Sequence, residues 1–337
     1  MLLFALCKEV KNNRKSSNSE NIAESNYIVN MKKPMIIFLV GPTASGKSGA
    51  ANELAREINA EIVSADSMQV YRGMDILSAK PDIKEQKQIS HYLIDILEPS
   101  EEYSAAIFRN KALKCIEDII ARKKIPLFVG GTGLYVKALT KGLFSDNGKD
   151  EKLRKELAQE AKHKGNACLY ERLQAVDPRA AEKIHPNDMR RIIRALEVYE
   201  LSSRTITELK TEIEGLDEKY EFKIFAIERE RRELYGRIEL RVEKMFEAGL
   251  VDEVKRLIAL PLSHTAKQAL GIKQISAYLN KECSLDFAKD LLKRDTRRFA
   301  KRQLTWFRAE KDIVWTPAEP ETTPQELSAK ILSFLNL

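Results

Sequence analysis

The chain has few of the residues that build disulfide frameworks or zinc sites. Its four cysteines (Cys7, Cys115, Cys168 and Cys283) are far apart and form no C-x-x-C pair, and its four histidines (His91, His163, His185 and His264) are equally scattered. A disulfide scaffold and a zinc ribbon are therefore not expected, and a reducing cytoplasm is the expected compartment. No apolar run approaches the ~20 residues of a membrane-spanning helix, so no membrane partner is expected. The apolar start Met1–Leu6 is too short for a secretory leader, and no basic segment precedes it. There is no internal repeat, and nothing demands a second copy, which makes a monomer the expectation.

What is present suits a globular enzyme. Of 337 residues, 43% are hydrophobic, enough for a real core, and the length suits two domains or one domain with a large insertion. A formal charge of +7 favours an anionic partner. Residues 11–30, rich in Asn, Ser, Lys and Glu, read as disorder, so 1–30 is an extension and Met31 the expected working start.

Residues 41–48, Gly41-Pro42-Thr43-Ala44-Ser45-Gly46-Lys47-Ser48, match the phosphate-cradling P-loop pattern G-x-x-x-x-G-K-[ST] of nucleotide- and ATP-binding proteins. The apolar run Met35–Val40 before it predicts a buried strand. Ala51, Leu54, Ala55 and Ile58 after it recur at i, i+3, i+4, i+7 and predict a helix. Strand, glycine loop and helix N-terminus together make a site for a di- or triphosphate. Lys47 reaches the phosphates and the Ser48 hydroxyl is a candidate Mg²⁺ ligand.

Around this loop the pattern predicts strands at Met35–Val40, Glu61–Ser64, Tyr92–Leu97 and Ile125–Val129, with helices at Gly46–Ile58 and Ala105–Arg122. Such alternation implies an α/β fold, a P-loop NTPase-like parallel sheet wound with helices, over 31–141. From 142 to 220 the sequence turns to charged helical stretches (Asp150–Lys164, Leu169–Val176, Pro178–Ile184, Asp188–Leu201), a helical insertion domain. A further strand, Phe222–Ile227, and long helices complete the core over 221–316. Residues 317–337 are a linker and a last helix, Gln325–Leu337.

Several clusters could carry chemistry. Asp66 ends the second strand, where a carboxylate beside a P-loop can act as a base or hold metal-bound water, or else cap a helix. Asp95, flanked by apolar residues, resembles a Walker B aspartate. Gly130-Gly131-Thr132-Gly133 is a second glycine loop, with Thr132 facing the same crevice. Lys293/Arg294, Arg297/Arg298 and Lys301/Arg302 recur every four residues with Phe299, Trp306 and Phe307 interleaved, which reads as a phosphate-backbone ridge. Asp188 reads as an N-cap, placing Arg190, Arg191 and Arg194 in the first two helical turns, against the helix dipole unless an anion binds there. Arg229, Arg231, Arg232, Arg237 and Arg241 form a third set, of which Arg237 and Arg241, at i and i+4, could point back at the P-loop. On these residues alone, a small-molecule kinase and a nucleotide-gated RNA-binding switch stay open beside a group transferase.

Five blocks in order, Gly41–Ser48, Asp66-Ser-Met-Gln-Val-Tyr-Arg-Gly-Met-Asp75, Gly130–Tyr135, His185-Pro-Asn-Asp188 with Arg194–Val198, and Lys301-Arg-Gln-Leu-Thr-Trp306, resemble the tRNA dimethylallyltransferases over about Met31 to Trp315. The resemblance implies transfer of a dimethylallyl group from dimethylallyl diphosphate to N6 of the adenosine immediately 3′ of the anticodon. It implies Asp66 as general base, Lys47 and Arg241 against the departing diphosphate, Thr132 in the catalytic set, and Mg²⁺ at Ser48. It also implies a tRNA anticodon stem-loop as partner. The residues implied to touch it are Asp66, Ser67, Met68, Gln69, Thr132, Arg154, Arg190, Arg191, Ile192, Ile193, Arg194, Gln268, Ala269, Leu270, Gly271, Ile272, Lys273, Arg298, Lys301, Arg302, Gln303 and Trp306. Departures are Leu77-Ser78 where the family often has Gly-Thr, Ile272 where it has tyrosine, and no proline in 145–149.

Overall fold

Strand β1 (Met35–Val40) alternates its side chains between two apolar layers, Ile36, Phe38 and Val40 into one, Ile37 and Leu39 into the other, all fully buried. A strand covered on both faces belongs inside a parallel sheet, which explains why it reads as one continuous apolar run. The computed structural model describes residues 33–143, 148–213 and 215–335. The proposed extension 1–30, and most of the proline-lacking stretch 145–149, lie outside the described residues.

After β1 come α1 (Lys47–Glu57), β2 (Ala60–Ser64), α2 (Asp75–Ser78), α3 (Ile83–Gln88), β3 (His91–Tyr92), α4 (Ala105–Ala121), β4 (Ile125–Gly130) and α5 (Gly133–Thr140). A helical stretch follows, α6 (Glu151–Lys164), α7 (Asn166–Val176), α8 (Pro178–Ala181), α9 (Met189–Ser202) and α10 (Ile206–Thr211). The chain then returns through β5 (Glu221–Glu228), α11 (Arg231–Glu247), α12 (Leu250–Ile258), α13 (Ile272–Leu279), α14 (Leu285–Arg308), β6 (Ile313–Pro317) and α15 (Pro324–Leu332).

The six strands pair parallel in the order β3-β2-β4-β1-β5-β6. One face packs on α4 and α5, where the Phe38 and Phe128 rings stack at 4.9 Å. The other is covered by α1 and α15, with Leu54, Leu327 and Ile331 buried between them. Each buried side chain of this size contributes roughly 1.5–3 kcal/mol relative to exposure. Helices α6 to α10 bury a core of their own, in which Leu169, Leu173, Ile192 and Leu196 are fully covered.

Two expectations need correction. The strand expected over Tyr92–Leu97 stops at Tyr92, because Leu93 and Asp95 take left-handed φ values of 62° and 54° that extended backbone cannot hold. Only Leu97 pairs again, in a single bridge to Tyr71. Strand β6 was not anticipated: five residues ending in proline give too short an apolar signal, and the partner β5 supplies the register. Smaller differences are that α8 ends at Ala181, short of Ile184, and α15 at Leu332.

Candidate active site

The carboxyl ends of β1, β2 and β4 deliver three loops to one crevice of about 1230 Å³, whose lining includes Thr43, Gly46, Lys47, Ser48, Asp66, Gly131, Arg241 and Gln303. Adjacent parallel strands place their following loops side by side, which is why segments far apart in sequence converge here.

In the phosphate loop, Gly41, Ala44 and Gly46 have φ of 136°, 64° and 101°. The left-handed Gly46 lets the chain turn directly into α1. Three of the loop's carbonyls accept hydrogen bonds from cations. Lys47 Nζ donates to Pro42 O at 2.6 Å, Arg237 Nε to Ala44 O at 3.0 Å and Arg229 Nε to Ser45 O at 2.8 Å. Arg229, 5% exposed, is fixed further by Glu233 at 2.5 Å and by the Glu319 carbonyl at 2.7 Å. Thr43 N–H is taken by Gln303 Oε1 at 2.9 Å and Ser45 N–H by the Pro42 carbonyl at 3.3 Å, so an anion would meet the remaining loop N–H groups at the start of α1.

Lys47, Arg241 and Asp66 interact electrostatically in the crevice. Burial, then repulsion from Arg241, pulls Lys47 down to about 7, against attraction to Asp66. Burial also lowers Arg241, with Asp66 opposing. Asp66 caps a turn after β2, not a helix: its Oδ1 accepts from Met68 N–H at 2.8 Å. Ser64 Oγ donates to Gln69 Oε1 at 2.8 Å, fixing the other end of that turn. Thr132, expected to face the crevice, precedes α5 without a side-chain cap and is not among the residues that line the crevice, which the loop reaches through Gly130 and Gly131.

Helix α11 supplies a mixed wall. Arg237, Leu240, Arg241, Lys244, Met245 and Ala248 fall on one helical face and line the crevice together with Phe299 of α14. An apolar lining thus adjoins the anion site. Sequence reasoning singled out Arg237 and Arg241 but missed Leu240, Lys244, Met245 and Ala248, although their i, i+3, i+4 spacing about Arg237 and Arg241 was a readable signal.

Asp95 lines the crevice, but not from a strand end. Its carboxylate pairs with the buried Lys80 at 2.5 Å, and Lys80 also holds Asp75 at 2.7 Å and the Tyr71 carbonyl at 2.6 Å. Asp95 therefore anchors the loop after Asp66. Among the described residues no group of three or more His, Cys, Asp or Glu side chains is placed to hold a metal ion. One exposed hydroxyl, Ser48, beside an anion site fits a hard cation that keeps waters and phosphate oxygens as its other ligands.

The residues expected at the tRNA face divide. Arg190 and Arg191 are exposed at the start of α9, which Asp188 caps as anticipated. Arg154 and Arg194 instead turn to the fully buried Glu197, Arg154 through two bonds of 2.8 Å and Arg194 through one of 2.7 Å. Burial pushes the Glu197 carboxyl up, but these arginines outweigh it and hold it below the usual range. Ile192 is fully buried in the core of α6–α10 and Ile193 packs against it, so neither side chain is an external contact. Ala269 and Ile272 are likewise buried, in the main core, and Gly271 N–H is taken by Gln274; Leu270 is half-buried, while Gln268 and Lys273 are exposed.

On α14 the ridge is split. Lys293 and Arg297 pair with Glu243 at 2.5 Å and Glu239 at 2.6 Å, both on α11, so the acids missing from α14 come from its neighbour. Arg298, Lys301 and Arg302 are exposed; Arg298 lies 3.5 Å from Asp295 and Arg302 over the Phe299 ring at 5.8 Å. Trp306 packs on Gly133, edge-on to Phe307 at 5.1 Å. Gln303, expected among the external contacts, is 7% exposed and bonded to the two glycine loops.

Comparison with known proteins follows the same outline. The family described as IPP transferase matches residues 69–310, and the one described as isopentenyl transferase matches residues 34–97. The chain is 48% identical over 303 residues to the tRNA dimethylallyltransferase of Acetivibrio thermocellus, covering 89% of this chain and 97% of that one. It is 48% identical over 283 residues to that of Halothermothrix orenii, covering 83% and 86%. The full-length tRNA isopentenylpyrophosphate transferase from Bacillus halodurans superposes with a TM-score of 0.65 at 39% identity, over 90% of this chain and 97% of that one. A eukaryotic dimethylallyltransferase acting on tRNA gives 0.72 at 29% identity, over 84% and 74%.

Proposed function

This chain belongs to the tRNA dimethylallyltransferase (IPP transferase) family, and on that premise we propose that its crevice holds dimethylallyl diphosphate across Gly41–Ser48, with Asp66 as the base. The protein transfers a dimethylallyl group to N6 of the adenosine immediately 3′ of the anticodon in tRNA, releasing diphosphate. One observation carries the assignment of parts: a phosphate loop with its cations, Lys47 and the α11 residues Arg237 and Arg241, shares its crevice with an apolar wall (Leu240, Met245, Ala248, Phe299) and a carboxylate, Asp66. A charged head and a short apolar tail are what a prenyl diphosphate presents.

The exocyclic adenine amine is a weak nucleophile, so the reaction needs a good leaving group and a place for the proton. As N6 bonds to the prenyl C1, the C1–O bond breaks and its electron pair leaves with the diphosphate. Lys47, Arg241 and the loop N–H groups at the start of α1 stabilise that charge where it develops. Asp66 takes the N6 proton. Ser48 would hold Mg²⁺ here, and the ion when bound would add positive charge to favour the leaving group. The adenosine leaves the anticodon-loop stack to reach the crevice, at a cost of about a few kcal/mol.

The anticodon stem-loop rests on the exposed cations Arg190, Arg191, Arg298, Lys301 and Arg302, on Gln268 and Lys273, and on Ser67 and Met68, which follow Asp66. The protein works as a monomer in the cytoplasm; no described helix is long and apolar enough to cross a membrane. Mass spectrometry of tRNA after incubation with dimethylallyl diphosphate and Mg²⁺ tests the whole reading. A dimethylallyl mass gain on the adenosine next to the anticodon is expected, and its absence rejects the reading.

A further inference from the structure

A single peptide unit of the phosphate loop is held at both ends. The carbonyl of Pro42 accepts from Lys47 Nζ at 2.6 Å, and the N–H of the same peptide bond, on Thr43, donates to Gln303 Oε1 at 2.9 Å. The other end of the Gln303 amide donates from Nε2 to the Gly131 carbonyl at 2.9 Å. One side chain of α14 thus ties the loop after β1 to the loop after β4. The fit is close: a Cβ on Gly131 would stand 2.1 Å from Gln303 Nε2.

The geometry points to Gln303 as a positioning residue of the diphosphate cradle and not as a contact to tRNA. This rests on reading Gly41–Ser48 as that cradle. An amide suits the place because it offers an acceptor and a donor about one atom spacing apart. A carboxylate would face the Gly131 carbonyl with a second acceptor, and an aliphatic chain would leave the part-buried Thr43 N–H and the buried Gly131 O without this partner. Loop N–H groups converge on an anion only while their peptide planes keep a fixed tilt. Gln303 and Lys47 set that tilt for the Pro42–Thr43 plane. Its helical neighbours Lys301 and Arg302 face solvent, while Gln303 faces inward, so α14 serves the tRNA with one face and the cradle with another.

Titration calorimetry with two probes, inorganic diphosphate and a synthetic anticodon stem-loop RNA, tests the assignment on the full chain. Gln303→Leu is expected to weaken diphosphate binding by about tenfold to a hundredfold, the loss of two hydrogen bonds, and to leave stem-loop affinity within about twofold of wild type. Arg302→Ala is expected to do the reverse. Gln303→Glu supplies a readout that a merely structural role would not move, and it stands in should Gln303→Leu fail to fold. Burial favours the protonated carboxyl, which can donate to Gly131 O, so diphosphate affinity should recover as pH falls from 8 to about 5.5, by more than wild type changes. Unchanged diphosphate affinity with weakened stem-loop binding, or no recovery at low pH in Gln303→Glu, overturns the inference. Failure of wild type itself to bind diphosphate overturns both the cradle reading and this one, and is told apart by needing no variant.

Discussion

Arg237 lies 193 residues from Ala44 in sequence, yet its Nε donates to the Ala44 carbonyl at 3.0 Å. The bond occupies that carbonyl and places a positive charge in the crevice lining. Arg237→Ala removes both. Because the side chain is 41% exposed, the effect is that of a screened charge, about 1 kcal/mol, or roughly a fivefold rise in KM for dimethylallyl diphosphate. Steady-state kinetics on the variant checks it, and a KM within twofold of wild type contradicts the role.

Asp66 interacts electrostatically with both Lys47 and Arg241 in the crevice. Asp66→Ala should lower kcat by about 10²–10⁴, the usual worth of a positioned base, with stem-loop affinity retained. Single-turnover transfer and filter binding separate the two quantities. Near-normal turnover assigns the proton to another acceptor.

The pH dependence of diphosphate binding follows from Lys47. Burial and Arg241 bring it to about 7, and a bound anion favours its ammonium form. Binding therefore takes up a proton above that pH. Affinity is full below about 7 and falls by up to tenfold per pH unit above it, until the raised pKa of the complex is reached. Lys47→Arg keeps the charge and flattens the curve. Equal slopes in the two proteins place the titration elsewhere.

The two sides of the α14 ridge should behave differently in salt. Replacing Arg298, Lys301 and Arg302 together removes exposed cations and should reduce the slope of log K against log salt for stem-loop binding by roughly two. Replacing Lys293 and Arg297, which are paired with Glu243 and Glu239, should leave that slope nearly unchanged. Equal slopes for the two variants would return the whole ridge to a solvated helix face.

Glu253 is a buried carboxylate, 2% exposed, that accepts from three successive backbone N–H groups of α2, Asp75 at 3.0 Å and Ile76 and Leu77 at 2.8 Å. Glu253→Ala strands one buried and two part-buried donors and should destabilise the protein by about 2 kcal/mol in urea unfolding. A change under ~0.5 kcal/mol would mean that water replaces the carboxylate fully.

Much of the sheet could be read from the chain, and the reasons are local. Met35–Val40 and Ile125–Val129 are short apolar runs followed by glycine loops, a pattern few other structures produce. Tyr92–Leu97 looked the same, but two left-handed residues end it, and nothing in its composition announces them. The phosphate loop, Asp66, Arg237 and Arg241 were legible because their chemistry demands those residue types. What was not legible is which polar side chains turn inward. Arg154 and Arg194 read as surface cations until Glu197 is seen beneath them. Gln303 sits among exposed neighbours in a basic stretch, and only the two glycine loops packed against α14 reveal its direction.

The tie between Thr43 and Gln303 spans 260 residues, and this has a consequence in time. During synthesis at about 5–20 residues per second, Gln303 follows Thr43 by roughly 13–50 s. The β1 strand and its glycine loop are made early, and Arg229 and Arg237 join them only after α6–α10 have been threaded out. A nascent chain that stops short of α14 carries the signature of a phosphate site without the side chain that sets its shape. The first recognisable motif to leave the ribosome is thus among the last parts of the enzyme to be finished.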